Sequence, residues 1–113
     1  MKIIRKNQAK KFENSPLCIA YEYPLGDKDI NSAVIEIKGR YPHQGRIVNL
    51  KCKEIVHILK GSVLLEVEGK KVKLEKGDEV LILPKEKYYW DGNCQIFTAC
   101  TPGWYPKQHK EVK

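Results

Sequence analysis

Glu54-Ile55-Val56-His57-Ile58-Leu59, then Lys60-Gly61-Ser62, then Val63-Leu64-Leu65-Glu66-Val67, then Glu68-Gly69-Lys70: residues 54–70 decide the class of the fold. Two apolar, β-branched runs are separated by one turn and closed by a second, which is the signature of short strands joined by hairpins. Neither run is long enough for a packed helix, and no 12-residue window from residue 18 to 101 carries a sustained helical stripe.

The same rhythm extends in both directions. Upstream, Cys18–Tyr23 is β-rich and stops at Pro24, Ser32–Lys38 breaks at Gly39, and Arg46–Leu50 follows the loop Gly39–Gly45. Downstream, Val72 and Leu74 alternate with lysines, and Lys76-Gly77-Asp78 turns into Val80–Leu83, which Pro84 ends. Lys87–Asp91, a turn at Gly92-Asn93 and Gln95–Thr101 complete the series. Turn signals recurring roughly every 8–12 residues predict an all-β domain, an antiparallel β-barrel or jelly roll with nearly no helix. Residues 1–113 are expected to form a single domain with its core at about 18–101, flanked by a basic N-terminal segment and an aromatic and basic tail. The first 15 residues read either as a short edge strand or as a turn of helix.

Composition narrows the function classes. The 113 residues are 42% hydrophobic and 31% charged, a globular balance. The net charge of +7 sits at the ends: residues 12–106 carry 13 basic and 13 acidic side chains. The body is therefore no basic platform, and no specific nucleic-acid partner is expected. No stretch has the length of a membrane span, and Met1–Lys11 lacks an apolar signal core, so a cytoplasmic chain without membrane contact is expected. Cys18, Cys52, Cys94 and Cys100 show no Cys-x-x-Cys pair and read as reduced, mostly buried small hydrophobes. Flanking Lys51 and Lys53 are the one argument for a reactive thiol at Cys52.

Glu54–Gly61 resembles the second half of the first cupin motif, a glutamate separated by six residues from a turn glycine. Glu66–Lys70 and Lys76–Pro84 look like the cupin hairpin and the opening of the second motif, so the resemblance covers about residues 34–101. It implies a small conserved β-barrel and a homodimer, here through an outer sheet face with Ile55 and Leu59 beside His57. Metal-binding cupins carry His-x-His shortly before the glutamate and a further histidine after the proline. Here Ile47–Lys51 holds no histidine, and Tyr89 stands five residues after Pro84. One carboxylate does not make a transition-metal site, so no metal cofactor is expected.

The resemblance points Glu54 into the barrel, with Tyr89 facing it and Val56 and Ile58 as apolar lining. Glu54 is then either a barrel-mouth carboxylate, hydrated or paired with Arg46 or a lysine, or a functional acid with a partner or a raised pKa. Tyr89 is either its hydrogen-bonding partner or an aromatic core residue. His57, three residues on, falls on the opposite face. His43 belongs to an exposed loop, and His109 to a mobile tail unless Trp104-Tyr105-Pro106 docks, over the barrel or across its cavity mouth. Two function classes remain open: a module binding a small polar molecule in the cavity without a metal, and an isomerase or epimerase of a sugar-like or carbonyl substrate. A metal-dependent enzyme would need ligands from outside the family pattern, such as Cys52 joining Glu54.

Overall fold

The computed structural model describes residues 1–113, and all nine strands belong to one antiparallel sheet. The strands are β1 (Lys10–Ser15), β2 (Cys18–Glu22), β3 (Asn31–Tyr41), β4 (Arg46–Asn49), β5 (Lys53–Val67), β6 (Lys70–Glu75), β7 (Glu79–Ile82), β8 (Lys87–Thr101) and β9 (His109–Val112). Helical structure is confined to single 3-10 turns at Lys6–Gln8 and Pro106–Gln108. No helix is long and apolar enough to cross a membrane.

The sheet curls into a barrel around its two longest strands. Along its first half β5 lies between β7 and β8, and along its second half between β6 and β8. On its other edge β8 carries β3, and β2 and β1 follow outward from β3. Near the start of β8, β4 joins it and in turn carries β9.

Two pairs of expected strands are fused. Residues 60–62 and 92–93 read as turns in the sequence, yet β5 and β8 run through them unbroken. The reason is mutual support, because the two bends lie side by side: Gly61 pairs with Cys94, and Val63 with Gly92. The register slips between Ile58 and Lys60, and Gly61 takes a φ of 77°, open to glycine at little cost. A Cβ on Gly61 would collide with the Asn93 carbonyl, and one on Gly92 would sit 2.7 Å from the Ser62 carbonyl oxygen. The glycines bend both strands around the barrel instead of reversing the chain.

The sheet also reaches beyond the expected core of residues 18–101. The N-terminal segment supplies both alternatives, a 3-10 turn and then β1, while the tail returns as β9 against β4. Inward-facing Ile37, Ile47, Val56, Ile58, Leu65 and Ile96 are almost fully buried and form the centre of the core.

Candidate functional site

An apolar cavity of about 310 Å³ opens between the β2–β3–β8 wall and the C-terminal segment. Among its polar lining residues, β4, β5 and β8 contribute Asn49, Glu54 and Tyr88, which touch one another. Strand parity delivers them there, since Asn49 shares the face of buried Ile47 and Glu54 that of buried Val56.

Asn49 is the hub of this cluster and is only 3% exposed. Its Nδ2 donates to the Tyr88 hydroxyl at 3.2 Å and, more weakly, to Glu54 Oε1 at 3.4 Å. Its Oδ1 accepts from Trp104 Nε1 at 3.1 Å and from His109 Nδ1 at 2.8 Å. The indole N–H can only donate, so the amide orientation is fixed, and His109 must carry a proton on Nδ1. In the neutral ring Nε2 is then the acceptor for the Tyr41 hydroxyl at 3.2 Å. Burial lowers the His109 pKa, which favours that neutral form.

The network polarises towards Glu54. Tyr88 accepts from Asn49 and donates to Glu54 Oε1 at 3.3 Å. Glu54 Oε2 has no protein partner but keeps accessible surface, and Glu54 lines the cavity. Burial pushes the Glu54 carboxyl up from the ordinary 4.5 to about 7, and the hydrogen bond from Tyr88 offsets only part of this. With Oε1 occupied as an acceptor, the proton of the neutral acid belongs on Oε2, where a bound molecule would meet it. Desolvation, followed by the charge of Glu54, holds the Tyr88 phenol well above its usual range.

The tail docks against the cavity. Asn31 donates to the Trp104 carbonyl and accepts from the Trp104 amide, both at 2.9 Å, an amide clasp that fixes the indole over the opening. Behind it, buried Gln108 accepts the Lys51 and Cys52 amides at 2.9 and 2.8 Å, which pins the tail to the loop before β5. The segment therefore lines the cavity, and docking draws His109 into the site.

Several expected placements change. Tyr89 does not face Glu54: it lies on the opposite face of β8, with the Arg40 guanidinium 4.0 Å from its ring centroid. The inward position lies one residue before the one that spacing from Pro84 points to, and in a strand one residue reverses the face, so Tyr88 is the inward tyrosine. Val56 and Ile58 point inward but pack in the solid part of the core and do not line the cavity. Arg46 pairs with Glu66 rather than Glu54. His57 faces outward beside Glu79 at 3.1 Å, and His43 is exposed. Cys52 is buried rather than presented to solvent. The docked segment carries His109 with it, the alternative that the tail sequence leaves open, whereas nothing local marks Tyr41, and for Asn49 the only signal is its alternation with Ile47.

No group of three His, Cys, Asp or Glu side chains has the arrangement to hold a metal ion, and both nitrogens of His109 already have partners.

No family model matches the chain, and no curated protein matches it in sequence. Solved structures do share its fold. Pac13, described as a unique nucleoside dehydratase, superposes with a TM-score of 0.88 at 12% identity, covering 100% of this chain and 92% of that one. A Streptomyces PAC13 variant with uridine gives 0.86 at 11%, over 96% and 88% of the two chains. The polyketide cyclase RemF from Streptomyces resistomycificus gives 0.76 at 13%, over 100% and 86%. At these identities the likeness establishes the β-barrel fold.

Proposed function

We propose that this chain is a cupin-type barrel that binds a small polar molecule in its cavity and exchanges a proton with it through Glu54, without a resident metal. The observation that carries this reading is Glu54 Oε2, unpartnered and open to the cavity on a carboxyl whose pKa is raised to about 7. Such a group is half protonated near neutrality, where general acids and bases work best. The reaction class is an isomerisation, epimerisation or elimination beside a carbonyl, in which Glu54 gives or takes one proton. Tyr88 and Asn49 hold Oε1, so the exchanging proton stays on Oε2. Solved barrels of this fold described as a nucleoside dehydratase and a polyketide cyclase support a cavity that handles small ring-bearing molecules.

The test follows exchange directly. Protein incubated in D₂O with a panel of sugars, nucleosides and hydroxyketones should introduce deuterium into, or eliminate water from, at least one member, as read by NMR. Glu54→Gln should slow this by about 10²–10⁴-fold. Undiminished exchange in the variant removes Glu54 as the proton carrier, whereas binding without exchange in the wild type leaves a pure binding module.

The same reading includes a two-fold homodimer. Ile55, Leu81 and Phe97 are exposed on adjoining strands around the His57–Glu79 pair, an apolar outer face that a second copy would cover. Light scattering at tens of micromolar should give twice the chain mass; a monomer removes the dimer.

A further inference from the structure

The chain contains 21 lysines and arginines, and none of them lines the cavity. The ionisable groups that do line it are the carboxyls of Glu22 and Glu54, neutral His109, and thiols and phenols. Glu22, at the end of β2, lies in one cross-strand row with Ala33 of β3 and Thr98 of β8, all three on the cavity wall. Glu54 lies in the next row, opposite Cys100 and, beyond it, Asn31. The two carboxyls thus stand in successive rows of the sheet, at its β2 and β5 positions, three strands apart. Lys10 is paired in register with Glu22, but it is exposed and lies outside the lining.

The neutral part of the wall is strongly aromatic. Seven aromatic side chains line the cavity, both tryptophans among them, and the remaining polar groups are amides and hydroxyls. Flat faces beside hydrogen-bonding amides suit a ring that carries hydroxyl or carbonyl groups. A volume of about 310 Å³ lies at the small end of small-molecule sites.

An anion entering this space would lose its hydration, meet no cation and face carboxylates. From this we propose that the cavity selects an uncharged, ring-bearing molecule and rejects the phosphorylated or carboxylated form of the same molecule. The inference rests on the small-molecule reading above and specifies its ligand class. It also separates the cavity from the chain's surface, where a net charge of +7 would draw anions without specificity.

Matched pairs test it: uridine against uridine 5′-monophosphate, and salicyl alcohol against salicylate. Quenching of tryptophan fluorescence reports cavity occupancy, because Trp90 and Trp104, the only tryptophans, both line the cavity. The neutral member of at least one pair should bind at least tenfold more tightly than its anion. Ala33→Arg, which places a cation between Glu22 and Thr98, should reverse that preference. An anion that binds wild-type protein as tightly as its neutral partner overturns the charge selection and leaves small-molecule binding intact. Quenching by no member of either pair at 10 mM (a concentration of about the weakest useful affinity) overturns both.

Discussion

The two walls of the barrel are built by the same strand alternation and end in opposite states. On the β5–β6–β7 wall the inward residues are Val56, Ile58, Val63, Leu65, Leu74 and Ile82, and they fill the interior. Next to it in the same sheet, the β2–β3–β8 wall mixes its larger side chains with Cys18, Ala20, Ala33, Thr98 and Cys100, and there the cavity opens. Side-chain volume at equivalent inward positions thus decides where solid core gives way to a binding space. The polar cluster of Asn49, Glu54 and Tyr88 sits where the two states meet, supported by packed neighbours and open to the cavity through Glu54 Oε2.

That contrast can be broken from either side. Ile58→Ala, in the filled wall, should cost about 2–5 kcal/mol in denaturant unfolding, because the core around it cannot collapse. Ala20→Leu, which grows into open space, should change stability by less than about 1 kcal/mol while abolishing ligand binding. Equal losses from both would mean that the walls do not differ in packing.

The second expected effect is on pH dependence. The folded-state pKa of Glu54 is raised, so its contribution to stability is fully present below about 4.5 and is lost as pH rises to about 7. This shift corresponds to about 3 kcal/mol. Buried His109, with its pKa lowered, acts in the opposite sense as pH falls. Subtracting the Glu54→Gln stability curve from that of the wild type isolates the carboxyl. A flat difference between pH 4 and 8 would contradict the buried acid.

Removing the hub should cost less. Asn49→Ala strips partners from Trp104, His109, Tyr88 and Glu54, and a loss of about 1–3 kcal/mol is expected. Indole fluorescence should shift to the red as Trp104 loosens. The smallest effects separate the two adjacent tyrosines. Tyr88→Phe removes a donor that lowers the Glu54 pKa, so carbon-detected NMR titration should place that pKa above its wild-type value. Tyr89→Phe, on the opposite face of β8, should leave both the titration and ligand affinity unchanged. Identical responses would place the inward tyrosine wrongly.

What could be read from the residues follows from how local each signal is. Turn residues and β-branched runs report on their own few neighbours, so the strands, the near absence of helix and the outward direction of His57 relative to Glu54 were legible. Fusion of the segments around Gly61 and Gly92 was not. A glycine that bends a paired strand and one that reverses the chain look alike until the partner strand is in place.

Turn chemistry and strand alternation, which act over short range, thus sufficed for an all-β fold and for setting His57 opposite Glu54, while the inward direction of Glu54 came from the cupin resemblance. Only the tertiary structure decided which residues meet that glutamate. Asn49 and Tyr88 come from separate strands, His109 joins them only through Asn49, 60 residues away in the chain, and a one-residue difference in strand register exchanges Tyr88 for Tyr89. The raised pKa of Glu54 is of the same kind, since it arises from the closure of the barrel and tail around a group that local sequence leaves hydrated.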